Sequence, residues 1–254
     1  MTAVGVTPAW LGLREPADAA ARSAELADRI GRHLPAGRLV IHDLGGGSGA
    51  MGRWLAPRLP APQHWVVHDR DADLLELALA APPRGATVEA RHGDIARLEP
   101  GDLAGADLVV ASALLDILTA DELTRMLGAC AGRPMLLALT VVGRVVLSPP
   151  DALDARVAAA FNAHQRRGGR LGPDAVTAAV AALSDAEVLV RPSPWRLDAG
   201  HADLIAEWLD GWIAAACEQD PALDAGAYRE RRLAQAAAGE VAVTVDHADV
   251  LVLP

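Results

Sequence analysis

A glycine-rich stretch preceded by an acidic residue is the part of the sequence best suited to ligand chemistry. An apolar run that starts near Arg38 breaks at Gly45, Gly47 and Gly49, and a helix is predicted to follow from about Ser48. Glycine permits positive φ angles and a close approach of the backbone, and the N–H groups at a helix N-terminus attract anionic and polar groups. The strand, turn and helix together predict a site for a nucleotide-like cofactor.

Two kinds of cofactor fit this turn. The spacing Gly45-x-Gly47-x-x-Ala50 matches the dinucleotide pattern, in which helix N–H groups bind a pyrophosphate. The spacing Asp43-x-Gly45-x-Gly47-x-Gly49 instead places a carboxylate two residues before the first glycine. That charge repels a pyrophosphate but attracts a cofactor that carries a sulfonium and an ammonium group. Asp43 therefore favours the second kind of cofactor.

Composition and charge exclude several classes of function. The 254-residue chain has a net charge of −10 and contains no lysine, so all 23 basic residues are arginine. The acidic balance argues against a nucleic-acid partner. The lack of lysine excludes lysine Schiff-base chemistry and a Walker-type phosphate site. We therefore expect a small-molecule substrate.

Cysteine usage and hydropathy bear on metals, membranes and location. Cys130 and Cys217 lack the spacing of a metal site or of a disulfide framework, so we expect core thiols, no bound metal and a cytoplasmic protein. The longest apolar run, Met135 to Val142, is far shorter than the ~20 residues that span a bilayer. We expect no membrane association and no cleaved targeting segment. The sequence leaves the oligomeric state open.

Apolar periodicity predicts five alternations of strand and helix up to about residue 142. The predicted strands are 39–44, 65–68, 88–91, 107–111 and 135–142, and the predicted helices are 15–34, 48–59, 72–80 and one that follows a capping box at Thr119–Glu122. Asp71 is predicted to cap helix 72–80, which leaves Asp69 available for a ligand. Continuously apolar strands are typical of a parallel sheet that helices cover on both faces.

The pattern changes after the fifth strand. A helix to about His164, a turn rich in glycine and arginine, and a helix to Leu183 are predicted, and we interpret this segment as an inserted helical lid. A strand at 187–190, a periodic helix around 204–213 and alternating apolar residues at 241–245 and 250–253 follow. The expected fold is α/β, with a doubly wound, mostly parallel, seven-stranded sheet. We expect a single domain made of an N-terminal helical segment (1–37), a cofactor-binding core (38–147), the lid (148–184) and a C-terminal part (185–254).

Four segments between about Leu39 and Val142 resemble, in order, motifs of the class I S-adenosylmethionine-dependent methyltransferases. They are Asp43-Leu-Gly-Gly-Gly-Ser-Gly49, the stretch from Val66 to Ala78, His92-Gly-Asp94-Ile95, and the stretch from Ala106 to Leu118. The resemblance implies that Asp69 binds the ribose hydroxyls, that Asp94 meets the adenine amino group, and that the fourth segment runs past the methyl group. It implies S-adenosylmethionine as the cofactor. The cofactor-binding residues expected on this basis are Asp43, Gly45, Gly47, Gly49, Asp69, Asp94, Ile95 and Ser112.

The predicted reaction is transfer of a methyl group to an oxygen, nitrogen or carbon atom of a small metabolite. Asp116 and His164 are the predicted catalytic residues, and a base is needed only if the acceptor must lose a proton. Many members of the family carry a histidine where this chain has Asp116. Arg166, Arg167 and Trp195 are the predicted substrate contacts, because guanidinium groups suit an acidic group on the acceptor.

Structural roles compete with each of these functional roles. His164 also fits a half-buried packing position, the loop arginines fit a solvated turn, and Trp195 fits a core position. Two other functions stay open as well. An NAD(P)-dependent oxidoreductase fits the dinucleotide spacing and the acidic Asp69, and a non-catalytic nucleoside-binding module fits the fold alone.

Overall fold

The computed structural model describes residues 7–184 and 186–254. Its strands are β1 (Leu39–Leu44), β2 (Gln63–Asp69), β3 (Ala86–His92), β4 (Leu108–Ser112), β5 (Met135–Ser148), β6 (Glu187–Pro192), β7 (Trp195–Leu197) and β8 (Ala242–Leu253). Its α-helices are α1 (Pro8–Ala21), α2 (Ala24–His33), α3 (Ala50–Leu55), α4 (Ala72–Ala80), α5 (Ala120–Ala129), α6 (Asp154–Gln165), α7 (Ala175–Ala182), α8 (Ala202–Gln219) and α9 (Gly226–Ala237). No helix of the described residues is long and apolar enough to cross a membrane.

The strands form one sheet in the order β3-β2-β1-β4-β5-β8-β6, and β7 also pairs with β8. Neighbouring strands from β3 to β5 are parallel, whereas β8 runs antiparallel to β5, β6 and β7. The predicted doubly wound α/β fold is confirmed, with the three-residue β7 as a strand beyond the seven predicted. The chain order reverses between β1 and β4, and in such sheets ligands bind at the carboxyl ends of the strands beside this switch point.

Four clusters of buried side chains hold the helices to the sheet, and the smallest of them joins α4 to β2 through Leu75, Ala78 and Val67. On one face α2 and α3 pack on the central strands through residues such as Ile30 and Trp54. On the other face α5 and α7 pack through residues such as Met126 and Ala179. A third cluster joins α6, α8 and α9 to the first half of β8 and to β7. The central strands are thus covered on both sides, as their continuously apolar sequences require.

The predicted helix 15–34 is wrong in its bounds, because two helices occupy this region. Thr7 caps α1 and Pro8 begins it, so Pro16 lies inside the helix and not near its start. Arg22 is extended, with φ −56° and ψ 141°, and Ser23 then caps α2 by accepting a hydrogen bond from Leu26 N. Ser favours the cap over the helix interior because its hydroxyl bonds the unsatisfied N–H groups there. The break places Arg22 between the two helices.

The predicted caps further along the chain are confirmed. Asp71 accepts hydrogen bonds from Asp73 N and Leu74 N at the start of α4. Thr119 and Glu122 form a reciprocal capping box at the start of α5. The predicted helix 48–59 is shorter, since α3 ends at Leu55 and continues only as a 3₁₀ turn that contains Pro57.

The C-terminal half differs from the prediction in three places. β5 continues past Val142 to Ser148. β8 is one strand where a break at 246–249 was predicted, because shifts in its pairing register with β5 accommodate the polar residues there. Helix α9 was not predicted, since its apolar stripe is weak. It is held instead by buried Tyr228 and Arg232, which both contact Asp154 of α6.

The segment predicted to be a lid contains α6, a 3₁₀-rich turn and α7. Val157 of α6 packs with α8 in the third cluster, and Ala175 and Ala179 of α7 pack against β5 in the second. Both helices therefore use their apolar faces in the core. The lid role of this segment stays a prediction.

Candidate active site

A cavity of about 730 Å³ opens at the carboxyl ends of β1, β2 and β4. Six of the eight predicted cofactor-binding residues line it: Gly45, Gly47, Asp69, Asp94, Ile95 and Ser112. They come together because the carboxyl ends of parallel strands meet at the same edge of a sheet. The cavity volume lies within the ~300–1,000 Å³ of small-molecule sites.

The glycine turn is held tightly against the end of β2. Gly46 N donates to His68 O at 3.1 Å, and Gly47 N donates to Asp69 Oδ2 at 2.9 Å. Gly45 and Gly47 have φ values of +64° and +52°, which side-chain-bearing residues rarely adopt. A Cβ atom on Gly45 would lie 3.1 Å from Leu114 Cδ1 and 3.3 Å from Ile95 Cδ1. The lack of a side chain at Gly45 therefore allows Leu114 and Ile95 to pack close to the turn.

Asp69 lines the cavity and accepts hydrogen bonds from two backbone N–H groups. Its Oδ2 accepts from Gly47 N, and its Oδ1 accepts from Asp71 N at 2.9 Å. Since Asp71 supplies the cap of α4, Asp69 is not needed for that purpose. Each carboxylate oxygen can accept more than one hydrogen bond, so the side chain retains acceptor capacity toward the cavity.

Asp94 and Ile95 form the wall that follows β3. Asp94 Oδ1 accepts from Ala96 N at 3.0 Å, which fixes the carboxylate at the start of a short 3₁₀ turn. Ile95 presents an apolar side chain opposite Leu114 across Gly45. One wall therefore offers a hydrogen-bond acceptor beside an apolar surface, as small-molecule sites commonly do.

The opposite wall comes from the end of β4 and from α1. Ser112, Ala113 and Leu114 line the cavity, and Ala113 has a positive φ of 53°. Leu11 and Arg14 of α1 close the cavity from above. Sequence reasoning missed both because it began the helix at residue 15. The signal that would have found them is Thr7-Pro8, a capping residue followed by proline at the first helical position.

Two predicted cofactor ligands lie outside this cavity. The Asp43 carboxylate is fully buried beneath the turn, and a Cβ on Gly46 would come within 2.7 Å of its Oδ2. Neither oxygen has a hydrogen-bond partner among the described residues, and burial raises the pKa of Asp43 to about 7. Gly49, with φ +81°, serves close packing, because its Cβ position lies 3.3 Å from Ala78 Cβ. The structure thus places Asp43 beneath the turn and Gly49 at the start of α3, packed against α4.

The two predicted catalytic residues lie in different parts of the structure, and neither lines the cavity. Asp116 lies in a 3₁₀ turn whose neighbours Leu114 and Ile117 line the cavity, but Asp116 does not line it. Its Oδ1 is buried without a partner among the described residues, and burial raises the pKa of its carboxyl group. His164, in the last turn of α6, contacts Glu218 at 3.3 Å and is not at the cavity.

The three predicted substrate contacts also lie away from the cavity. Arg166 forms a two-bond ion pair with Asp174, at 2.7 and 3.0 Å. Arg167 donates to Gln219 and to a backbone carbonyl of α8, both at 2.6 Å. Trp195 is buried, and its Nε1 donates to Asp18 Oδ1 of α1 at 2.9 Å. The arginines hold the turn against α7 and α8, and Trp195 anchors α1 over the sheet.

Comparisons with known proteins agree with this site. Residues 41–133 match a family model described as a methyltransferase domain. This match begins within β1 and runs past the end of α5, so it includes all six predicted residues that line the cavity. No curated protein sequence matches the chain.

Several solved structures are similar to the chain at low sequence identity. A cyclopropane-fatty-acyl-phospholipid synthase-like protein from Lactobacillus casei is 16% identical, with a TM-score of 0.53 over 99% of this chain and 94% of that one. A methyltransferase from Thiobacillus denitrificans in complex with S-adenosyl-L-homocysteine is 16% identical, with a TM-score of 0.44 over 96% and 98%. The cyclopropane synthase MmaA2 from Mycobacterium tuberculosis is 14% identical, with a TM-score of 0.48 over 89% and 82%. The first of these likenesses shows a shared fold.

Proposed function

We propose that the chain is a class I S-adenosylmethionine-dependent methyltransferase and that it methylates an oxygen, nitrogen or carbon atom of a small molecule bound beside Ser112 and Leu114. The observation that carries the proposal is that polar and apolar residues line different parts of the same cavity. Asp69 and Asp94 form a polar part, and Leu11, Leu114, Ile117 and Leu118 form an apolar part.

The residues at the polar part fit S-adenosylmethionine. We propose that Asp69 accepts hydrogen bonds from the ribose hydroxyls and Asp94 from the adenine amino group, while Ile95 packs on the ring. The turn at Gly45 and Gly47 presents backbone without side chains to the rest of the cofactor. When bound, the cofactor supplies a methyl group on an activated sulfonium.

The apolar part of the cavity supports the choice of a small acceptor. Leu11 of α1 and Leu114, Ile117 and Leu118 line the cavity together with Ser112 and give this part of it an apolar surface. Alignment of the acceptor and exclusion of water are the main contributions a protein makes to this kind of transfer. Two arginines, Arg14 and Arg70, line the cavity. Arg14 lies on the same helix as Leu11, so it replaces Arg166 and Arg167 as our candidate contact for an acidic group on the acceptor.

Two measurements test this function. Calorimetry with S-adenosylhomocysteine and with NADH separates the methyltransferase from the dinucleotide alternative, and we expect binding of the first compound only. Incubation with a cell extract and S-adenosylmethionine labelled in its methyl group should then yield a small-molecule product heavier than its precursor by one CH₂ and carrying the label. Tight binding of NADH without binding of S-adenosylhomocysteine would overturn the proposal.

A further inference from the structure

Arg22, between α1 and α2, is a buried cation beside the cavity. It is 5% exposed, and its Nη2 donates to Ser112 Oγ at 3.0 Å. Ser112 lines the cavity, so one hydroxyl group separates the guanidinium from the ligand space. The Nε and Nη1 groups of Arg22 have no hydrogen-bond partner in the described part of the chain. A buried guanidinium with unsatisfied N–H groups is unfavourable unless an anion completes it.

Two of the three carboxylates whose charge acts on Arg22, Asp18 and Asp249, are already occupied, and the third, Asp43, makes no hydrogen bond to Arg22. Asp18 approaches to 3.9 Å, but it accepts two hydrogen bonds from Arg14 and one from Trp195. Asp249 accepts from Ser23 N at 2.7 Å and from Leu139 N at 2.8 Å. Burial lowers the pKa of Arg22, which reflects how poorly its charge is solvated there.

We propose that Arg22, together with the Ser112 hydroxyl that it contacts, binds a carboxylate of the ligand at the inner end of the cavity. Ser112 Oγ accepts from Arg22, so its own hydrogen is available to donate toward the cavity. A guanidinium is the side chain best matched to a carboxylate, because it presents several N–H groups in one plane. Two molecules can supply that carboxylate: the cofactor, through its amino-acid end, or the methyl acceptor.

This inference rests on the proposed function, because it assumes that the cavity holds the cofactor. The test compares S-adenosylhomocysteine with S-adenosyl-3-thiopropylamine, which lacks only the carboxylate. Binding of both compounds is measured by calorimetry for the wild type, for Arg22→Gln and for a matched control, Arg29→Gln. Arg29 lies on α2 in an exposed ion pair with Glu187, so its loss should leave both affinities unchanged.

If the cofactor supplies the carboxylate, Arg22→Gln should bind S-adenosylhomocysteine about 10- to 150-fold more weakly, as expected for a hydrogen bond to a charged group. Binding of the decarboxylated compound should not change, which a general distortion of the site could not produce. Ser112→Ala should weaken the same compound selectively. Arg22→Lys should retain part of the preference, because it keeps the charge, and it serves if Arg22→Gln does not fold.

If the acceptor supplies the carboxylate, both nucleosides should bind Arg22→Gln normally. Benzoate should then bind the wild type saturated with S-adenosylhomocysteine and should fail to bind the variant. Equal binding of the two nucleosides by the wild type, with no effect of Arg22→Gln on them or on benzoate, would overturn this inference alone. Failure of the wild type to bind either nucleoside would instead refute the proposed function.

Discussion

Gly46 and Gly47 are neighbours in the turn, yet we expect the same substitution to act mainly on stability at Gly46 and mainly on ligand binding at Gly47. Gly46 has no positive φ, but a Cβ there would lie 2.7 Å from both Asp43 Oδ2 and Val67 Cγ1. Gly47 has a φ of +52°, but its Cβ would meet nothing closer than Leu11 at 3.6 Å. Lack of space therefore constrains the first position, and backbone conformation constrains the second.

Gly46→Ala should destabilise the fold by about 3 kcal/mol, at the upper end of the usual cost of overpacking. Val67 and Asp43 are both buried in the middle of the sheet, so neither can move away from the added methyl group. Gly47→Ala should cost only about 1–2 kcal/mol, the usual penalty for a left-handed conformation. Its methyl group would enter the cavity 4.0 Å from Asp69 Oδ2, so it should weaken S-adenosylhomocysteine binding at least about 10-fold.

Urea unfolding and calorimetry with S-adenosylhomocysteine measure the two effects separately. Gly128→Ala provides the matched control, since Gly128 is exposed on α5 with nothing within 4 Å of its Cβ position. There the substitution should stabilise the helix by about 0.5–1 kcal/mol and leave binding unchanged. The reasoning fails if Gly46→Ala is as stable as the wild type. It also fails if Gly47→Ala keeps full affinity.

Three further predictions concern the cavity, acid stability and the turn between α6 and α7. Asp69→Ala should weaken S-adenosylhomocysteine binding about 10- to 150-fold by calorimetry, whereas Asp71→Ser keeps a capping oxygen and should change it little. His42 Nδ1 lies 2.9 Å from His68 Nε2, and burial lowers the pKa of both histidines to about 4. Below pH 6.5 the unfolded chain therefore binds more protons than the folded chain. The free energy of unfolding should fall by about 3 kcal/mol per histidine between pH 6.5 and 4. Urea titrations should show a smaller fall for the double His→Leu variant, and an equal fall would contradict this origin. Arg166→Ala removes an exposed ion pair, so it should leave KM for the acceptor unchanged and stability within about 1 kcal/mol; a raised KM would restore the lid role.

Local sequence determined the strand, turn and helix around Gly45 and the caps at Asp71 and Thr119. These features depend on neighbours within a few residues, so hydrophobic periodicity and capping chemistry suffice to predict them. The same rules placed Asp69, Asp94 and Ser112 at strand ends. The strands are parallel, so the fold brings these ends to one edge of the sheet and to one cavity.

Only the tertiary structure decided what covers that edge. Leu11 and Arg14 line the cavity because Asp18 of the same helix bonds Trp195, a residue far along the chain. Arg22 reaches Ser112 because Asp249 of the last strand bonds the backbone of Ser23.

The positions that sequence patterns assigned to the substrate show the same limit. His164, Arg166 and Arg167 have the composition of a binding turn, but Asp174, which precedes α7, and side chains of α8 take up their hydrogen bonds. Asp43 precedes the glycines, yet its side chain lies beneath the turn. Successive side chains of a strand point to opposite faces of the sheet, and the sequence pattern does not specify which face Asp43 occupies. A sequence pattern specifies residue types and local spacing, whereas the partner of each buried polar group depends on contacts between distant segments, which only the folded chain creates.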